Sequence, residues 1–396
     1  MDKLINRLIE LAVEIQQIPA PTFEEGRRAE FVRALFVQEG LKEVRVDQVG
    51  NVYGLWSQVE GRRSKVKPLV ISAHLDTVFP RETNLAVRRE GERIYAPGIG
   101  DNSLGVAALI GLIWMLRDGL LSQPSPRRRG ELPMPLSPRP QGEAMRDIWF
   151  VANVGEEGLG DLRGMKAVVE HFGADVILYL VLEGLALGHI YHRAVGVRRY
   201  RVTARTQGGH SWSDYGSPSA IHELAKLIVQ LTSLELPKEP RTTMNVGKIA
   251  GGTSVNVIAS EASFDLDLRS EGQRELRELV EGVERLIEAA NRPGVRVEAE
   301  VIGSRPAGEM SAAHPLVKLA EACVREVGLE PILTSGSTDA NIPLSKGYPA
   351  LVLGVTSGGG AHTKGEFIEI KPLEKGMRQL VRFVSSVIGD GQFDRL

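Results

Sequence analysis

The segment LVISAHLDTVFP, residues 69–80, most constrains the fold of this chain of 396 residues. Its run of branched apolar residues predicts a buried strand, and His74 and Asp76 follow at the end of that strand. Residues i and i+2 of a strand project to the same face, so the Asp76 carboxylate is placed to orient the His74 imidazole. The segment therefore predicts a polar site at the edge of a sheet.

Strands alternate with helices through most of the chain, which predicts an α/β layer with a mainly parallel sheet. The apolar stretches that predict its strands include PLVISAHL, DIWFVANV, DVILYLVLEG and PALVLGV. Ligands of such sheets gather at the carboxyl ends of the strands. Four candidate ligands or proton carriers fall at strand exits on this interpretation: His74, Glu156, Glu157 and Glu183.

The pattern changes between residues 195 and 305, where the order strand-helix-strand-strand-helix-strand predicts a small α+β domain of the ferredoxin-like type. Because α/β patterning resumes afterwards, we predict that this domain is a lid inserted into a catalytic domain of residues 1–194 and 306–396. Residues 122–146 are rich in proline and arginine, which predicts a flexible surface insertion. A nucleic-acid role for its arginines is the weaker alternative.

Charge and cysteine usage restrict the class of partner and the compartment. The formal net charge of −2 gives no electrostatic reason to expect a nucleic acid or a membrane as partner. The single cysteine, Cys323, excludes a disulfide framework and favours a reducing compartment. We therefore expect a cytoplasmic protein.

Carboxylate and imidazole ligands together suit zinc, manganese or cobalt. Each candidate also has an ordinary structural alternative. Asp101, in GIGDN, is equally suited to cap a helix, and the Glu156-Glu157 pair is typical of a solvated turn. His362 lies in a glycine-rich loop, and Glu183 ends an apolar run where a carboxylate is costly unless it lies at the mouth of a sheet. The metal hypothesis thus depends on all of these residues meeting in space.

The motifs HLDTV, GIGDN, GEEG, LEG and AHTKGEF occur in this order, together with GGHSW and GSTDAN. This ordered set resembles the di-zinc hydrolase family of glutamate carboxypeptidase, peptidase T, acetylornithine deacetylase and aminoacylase, peptidase family M20. The resemblance covers nearly the whole chain outside residues 122–146. It implies a zinc-dependent amide hydrolase, with manganese or cobalt as substitutes for its two zinc ions, and a homodimer formed through the lid domain.

The resemblance also implies a role for each matched residue. His74 and Glu183 would bind one zinc, Glu157 and His362 the other, and Asp101 would bridge the two. The remaining implied roles are catalytic, with Asp76 orienting His74, Glu156 as general base, and His210 as oxyanion donor in the active site of the partner subunit. Substrate contacts are implied for five residues of the lid and a nearby loop: Asn256, Arg269, Gly336, Ser337 and Asp339.

The substrate class stays open between a short peptide and an N-acyl amino acid. Within the family, glutamate at the position of residue 183 is typical of carboxypeptidases and deacylases, whereas SGSTDAN is more similar to peptidase T. An exopeptidase, such as a dipeptidase, tripeptidase or carboxypeptidase, is the first hypothesis, and a deacylase or deacetylase is the alternative. A non-catalytic binding protein on the same fold is the second alternative, and the complete ligand set argues against it.

Overall fold

The computed structural model describes residues 1–57, 66–117 and 146–389, together with Phe393. The predicted insertion lies outside these ranges, apart from Arg146. The chain divides into two compact units, of which the first is Met1–His192 with Glu309–Thr334 and Thr338–Leu396, and the second is Arg193–Gly308 with Ser335–Ser337. The catalytic role of the first unit and the lid role of the second stay predictions.

The described helices, in chain order, are α1 (Asp2–Gln16), α2 (Gly26–Gln38), α3 (Leu104–Arg117), α4 (Arg163–Phe172), α5 (Ala220–Thr232), α6 (Gln273–Ala289), α7 (Pro315–Glu326), α8 (Asn341–Ser345) and α9 (Leu373–Gly389). The described strands of the first half of the chain are β1 (Lys42–Val46), β2 (Val52–Trp56), β3 (Leu69–His74), β4 (Arg88–Glu90), β5 (Arg93–Tyr95), β6 (Ile148–Asn153), β7 (Leu178–Glu183) and β8 (His189–Ala194). The later strands are β9 (Gly196–Thr206), β10 (Gly209–His210), β11 (Thr242–Gly251), β12 (Val257–Ile258), β13 (Glu261–Ser270), β14 (Val295–Arg305), β15 (Gly308–Glu309), β16 (Ile332–Gly336), β17 (Ala350–Gly354), β18 (Gly358–Gly359) and β19 (Phe367–Glu369).

The main sheet of the first unit has parallel strands at its centre. Strands β6, β3, β7 and β17 pair with one another in this order, and every pairing among them is parallel. Strands β1 and β2 extend the sheet on the β6 side, and β8 pairs with β17 on the other side, in antiparallel fashion. The carboxyl ends of the four parallel strands therefore meet at one edge. This arrangement confirms the predicted fold class.

Helix α3 is the centre of the hydrophobic core of the first unit. Every residue from Leu104 to Leu116 is buried, as in a helix that is apolar on all sides and enclosed by other elements. Among the described residues, the segment Ile99–Arg117 is long and apolar enough to cross a membrane by length and composition alone. However, 94% of its most apolar window is buried inside the protein, as in the core helix of a globular unit.

The second unit contains a four-stranded antiparallel sheet in the order β11-β13-β9-β14. Helices α5 and α6 pack on this sheet over a core that includes Tyr200, Phe264 and Leu266. Ion pairs join neighbouring strands, for example Arg201 with Asp265 at 2.9 Å. The order of elements is that of the α+β domain predicted for this part of the chain.

We expect Gly376→Ala to destabilise the first unit. Helix α9 passes so close to the end of β17 that a Cβ at Gly376 would overlap the backbone oxygen of Val355. Backbone cannot yield as a side chain does, so the free energy of unfolding should fall by about 2–3 kcal/mol. At Gly389, at the end of the same helix, an added Cβ would meet no atom of the described residues within 4 Å. Gly389→Ala is thus the matched control and should be neutral or stabilising by up to about 1 kcal/mol. Urea unfolding followed by circular dichroism measures both, and equal stability of the two variants would contradict the packing argument.

Candidate metal centre

Strand ends and loops of the first unit bring the predicted metal ligands together. Strands β3 and β7 end on His74 and Glu183, and the pair Glu156-Glu157 follows the end of β6. Asp101 lies in the turn before α3, and His362 lies in the loop between β18 and β19. The parallel centre of the sheet therefore supplies the ligand positions that the sequence predicts at strand exits.

Asp101 is the residue that the two halves of the site share. Its Oδ1 lies 3.1 Å from His74 Nε2, and its Oδ2 lies 2.9 Å from His362 Nε2. The same nitrogen of His362 is 3.3 Å from Glu157 Oε1, and that of His74 is 3.8 Å from Glu183 Oε2. The five residues thus form two sets of three predicted ligands that have one carboxylate in common.

The spacing of these atoms fits metal ions. Ligand atoms bound about 2.0–2.2 Å from a tetrahedral ion lie about 3.4 Å from one another. The four separations across the site range from 2.9 to 3.8 Å. A set of imidazoles and carboxylates with this spacing is suited to a pair of divalent cations.

Asp76 links His74 to the turn that carries Glu156 and Glu157. Its Oδ1 lies 3.5 Å from His74 Nδ1 and accepts the amide N–H of Glu156 at 2.9 Å. Its Oδ2 accepts the amide N–H of Glu157 at 2.9 Å and the hydroxyl of Thr22 at 3.0 Å. Burial acts to raise the pKa of Asp76, but its hydrogen bonds with His74 and the two amides keep that pKa below its usual value. The carboxylate is therefore ionised and holds both neighbours in place.

The surroundings of His74 fix which ring nitrogen faces the site. Nδ1 lies 3.1 Å from the backbone oxygen of Asp76, in addition to its contact with the Asp76 carboxylate. Both partners are hydrogen-bond acceptors, so Nδ1 carries a proton. In the neutral imidazole, Nε2 is then the nitrogen with a free lone pair, and this nitrogen faces Asp101.

Without a metal ion, protons balance the negative charge of the cluster. Burial raises the pKa of Glu183 to about 7. Hydrogen bonds with Asp101 and Glu157 raise the pKa of His362 to about 10. Burial acts to lower the pKa of His74, but its hydrogen bonds with carboxylates raise that pKa well above the usual value. A site that keeps protons in this way is a site that favours positive charge.

Glu366 fixes the turn that carries Asp101, a role that the sequence did not predict. Its Oε1 accepts the amides of Gly100 at 2.7 Å and Asp101 at 2.8 Å, and its Oε2 accepts the amide of Gly98 at 3.0 Å. The residue is fully buried, and that burial raises its pKa to about 7. The sequence places Glu366 four residues after His362 in the same loop, which could have indicated a role near the site. Its burial, however, cannot be recognised from the sequence.

Two buried asparagines tie further loops to strand ends. Asn102 donates to the carbonyl of Leu182 at 2.8 Å and accepts the amide of Gly184 at 2.9 Å, so the Asp101 turn is fixed to the end of β7. Asn153, at the end of β6, donates to Asp339 Oδ2 at 2.7 Å. Asp339 is wholly buried in the first unit, and its contact with substrate stays a prediction.

His210 is the exposed last residue of β10 in the second unit, and an exposed loop follows it. Its amide donates to Asp214 at 2.7 Å, and its Nδ1 accepts the amide of Trp212 at 3.2 Å. Trp212 and Tyr215, in that loop, are 86% and 90% exposed. His210 and the loop therefore present an imidazole and two aromatic rings on the surface of this unit, and the part of His210 in catalysis stays a prediction.

The other residues with implied substrate contacts in the second unit make hydrogen bonds within that unit. Arg269 donates to Asp267 at 2.6 Å, and Asp267 also pairs with Arg199 at 2.8 Å. The remaining three residues accept hydrogen bonds through a backbone or side-chain oxygen: Asn256, Gly336 and Ser337. Their roles in substrate binding also stay predictions.

Two family models match the chain. The model of peptidase family M28 matches residues 51–190, and the model of the peptidase dimerisation domain, of the M20 type, matches residues 193–295. The first match contains four of the five predicted ligands, and the second lies wholly within the second compact unit. The two units of the chain are thus each similar to a known part of metallopeptidases.

Relatives in several organisms extend this similarity. A peptidase M20 domain-containing protein of Schizosaccharomyces pombe is 29% identical over 70% of this chain and 64% of its own length. Succinyl-diaminopimelate desuccinylase of Corynebacterium glutamicum is 24% identical over 92% of both chains. The solved structure of a tripeptidase from Staphylococcus aureus has the same fold, with a TM-score of 0.76 and 22% identity over 99% of each chain. These comparisons confirm the resemblance of the chain to the M20 metallopeptidases and support an enzyme of the metallopeptidase and amidohydrolase class.

Proposed function

We propose that this protein is an exopeptidase that hydrolyses an amide bond of a short peptide with the help of two divalent metal ions. One observation carries the proposal: Asp101 presents its two carboxylate oxygens to two different histidines, each of which also faces a glutamate. A carboxylate shared in this way suits a bridging ligand, which a single metal ion does not require.

In this proposal, zinc is the metal, and manganese or cobalt can replace it. His74 and Glu183 would hold one ion, Glu157 and His362 would hold the other, and Asp101 would offer one carboxylate oxygen to each. When bound, such a pair of ions activates water and polarises the carbonyl of the amide. Asp76 and Glu366 act on the ligands rather than on the substrate, because their carboxylates accept the backbone amides of the segments that carry Glu157 and Asp101.

Glu156 is the residue that we assign to proton transfer. It is buried beside the ligand Glu157, and its amide is bound by Asp76, so its backbone position is fixed relative to the ligands. As general base it takes a proton from the attacking water and passes it to the nitrogen of the leaving amine when the C–N bond breaks. In a homodimer, His210 of a second copy would donate a hydrogen bond to the oxygen of the tetrahedral intermediate.

The proposal places the enzyme in the cytoplasm as a homodimer. The second unit matches the peptidase dimerisation domain, which supports self-association through this unit. Cys323 is a free, buried cysteine, and burial raises the pKa of its thiol to about 12. A protonated, enclosed thiol is a core residue, consistent with a reducing compartment.

Deacylation of an N-acyl amino acid is the second candidate function. The similarity to a desuccinylase over 92% of both chains favours it, because that enzyme's name describes removal of an acyl group. A peptide and an N-acyl amino acid present the same amide group to the metal centre, so the ligands fit both. A binding protein without catalysis would have no need of the complete ligand set.

A substrate panel is the direct test of the proposal. We expect protein loaded with zinc, manganese or cobalt to hydrolyse dipeptides or tripeptides faster than N-acetyl or N-succinyl amino acids, with release of the free amine measured by ninhydrin. Faster turnover of the N-acyl substrates would favour the deacylase. Less than one bound metal ion per chain, with no turnover after metal is added, would instead support a binding protein without catalysis.

Two neighbouring glutamates give a matched pair of variants. We expect Glu156→Gln to keep the metal content of the wild type and to lower kcat by about 100- to 10,000-fold, as for loss of a general base. Glu157→Gln should instead lower the metal content measured by mass spectrometry, because it removes a ligand. Near-normal turnover by Glu156→Gln would show that this residue is not the base.

We expect metal binding to the metal-free protein to release protons. At about pH 6, His362 and Glu183 hold protons because their pKa values, about 10 and about 7, lie above the solution pH. A metal ion displaces those protons, so the apparent affinity for zinc should rise as the pH rises from about 6 to 8. Calorimetry in two buffers of different ionisation enthalpy counts the released protons, and His362→Ala should release fewer. An affinity independent of pH would contradict this linkage.

A further inference from the structure

Phe23, in the turn that is hydrogen-bonded to Asp76, combines a left-handed backbone with an exposed apolar ring. Its φ is 78°, and 61% of the residue is exposed. The amide of Glu24 donates to the carbonyl of Pro21 at 2.8 Å, so Phe23 is the third residue of a four-residue turn. Thr22, the second residue, is not among the residues with positive φ. In a turn of this type, glycine is the favoured residue at the third position.

Phenylalanine at this position is unfavourable for the fold in two ways. A bulky side chain disfavours the left-handed conformation, which glycine adopts without strain. In addition, the exposed ring gains little from burial that would offset this strain. Strained residues of this kind cluster at functional sites, so the position of Phe23 relative to the metal centre becomes informative.

The turn is bonded directly to the residues that hold the metal ligands. The hydroxyl of Thr22 donates to Asp76 Oδ2, and the same oxygen accepts the amide of Glu157. The guanidinium of Arg163 lies 5.1 Å from the centre of the Phe23 ring, and this arginine is itself held by Glu25 at 2.6 Å. The ring is therefore held by a cation–π contact, in a turn that is itself hydrogen-bonded to Asp76.

Leu159 is a second exposed apolar residue next to the ligands. It follows Glu157 by two positions and is 60% exposed. A Cβ at Gly160 would lie 2.6 Å from the methyl group of Thr22, so the turn that carries Leu159 packs on the turn that carries Phe23. Two exposed apolar side chains thus project from two adjoining turns, and both turns are bonded to Asp76 or to a ligand.

We infer that Phe23 and Leu159 form an apolar subsite for a substrate side chain adjacent to the scissile amide. This inference rests on the proposed function, because the substrate must present its amide to the metal centre beside these two residues. The substrate class is a short peptide with a large apolar side chain, such as leucine or phenylalanine, on one side of the amide that is cut.

Variants at residue 23 test the inference on metal-loaded protein, with Leu-Gly, Gly-Leu, Ala-Gly and Gly-Ala as substrates. We expect the wild type to hydrolyse one of the two leucine dipeptides, Leu-Gly or Gly-Leu, faster than the dipeptide with alanine in the same position. Phe23→Gly should lower kcat/KM for that substrate by about tenfold, which corresponds to roughly 50 Å² of lost apolar contact. In the same variant, kcat/KM for the dipeptide with alanine in place of leucine should change by less than about twofold, because a methyl group reaches little of this surface. Leu159→Ala should act in the same direction.

Two further variants serve as controls. Phe23→Leu keeps an apolar side chain and should retain the preference for leucine. Val37→Ala changes a residue of α2 that is 54% exposed and lies outside both turns, and it should alter neither substrate. A loss of preference in Val37→Ala would show that removal of any exposed apolar group has this effect, and it would overturn the assignment.

Thermal unfolding separates a specificity role from a structural one. Phe23→Gly should melt at or above the temperature of the wild type and above Phe23→Ala, because only glycine relieves the backbone strain. An equal loss of kcat/KM on leucine and alanine substrates, or a lower melting temperature of Phe23→Gly, overturns the inference. A dimer that dissociates in Phe23→Gly, seen by light scattering, would show that a second copy covers the ring. Absence of turnover by the wild type on the whole panel refutes the proposed function instead.

Discussion

Repulsion between buried carboxylates is the constraint on which the rest of the site depends. Two like charges 4 Å apart near a protein surface repel each other by about 4 kcal/mol at an effective dielectric constant of 20. The first unit places several carboxylates around two histidines, and most of these residues are enclosed: Asp76, Asp101, Glu156, Glu157, Glu183 and Glu366. Such a cluster is stable only if cations or protons lie within it. The pKa values of Glu183 and His362 are raised to about 7 and about 10, which favours bound protons at these residues, and in the proposed function metal ions would replace those protons.

The supporting hydrogen bonds explain how separate chain segments hold this cluster in one geometry. Asp76 fixes the amides of the Glu156-Glu157 turn, and Glu366 fixes the amides around Asp101. Asn102 then ties the Asp101 turn to the end of β7, where Glu183 lies. The segments that carry Glu157, Asp101 and Glu183 are therefore each tied to a residue of another segment, so these three side chains are held close together by the fold.

The sequence predicted that these residues meet because each one lies at a strand exit or in a glycine-rich turn, and parallel strands bring their carboxyl ends together. Their role as metal ligands stays a prediction. It also predicted the pairing of His74 with Asp76 from their spacing, and the structure adds that Asp76 binds two amides of another segment. Asp101 and His362 are 261 residues apart, and only the ordered motifs of a known family linked them in advance. Glu366 and the partnership of Asn153 with Asp339 were missed because burial and tertiary hydrogen bonds have no local sequence pattern.

The choice between peptidase and deacylase is not made by the metal ligands, for a physical reason. Both substrates present one amide carbonyl and one amide nitrogen, and the difference between them begins beyond those atoms. Discrimination therefore has to come from side chains that contact the flanking groups of the substrate. In the first unit, Phe23 and Leu159 are exposed apolar groups next to the ligands, and they favour an apolar side chain over a charged acyl group. Because these residues hold no metal ion, they can vary between relatives without loss of the metal centre, whereas a change at Asp101 affects both halves of the site.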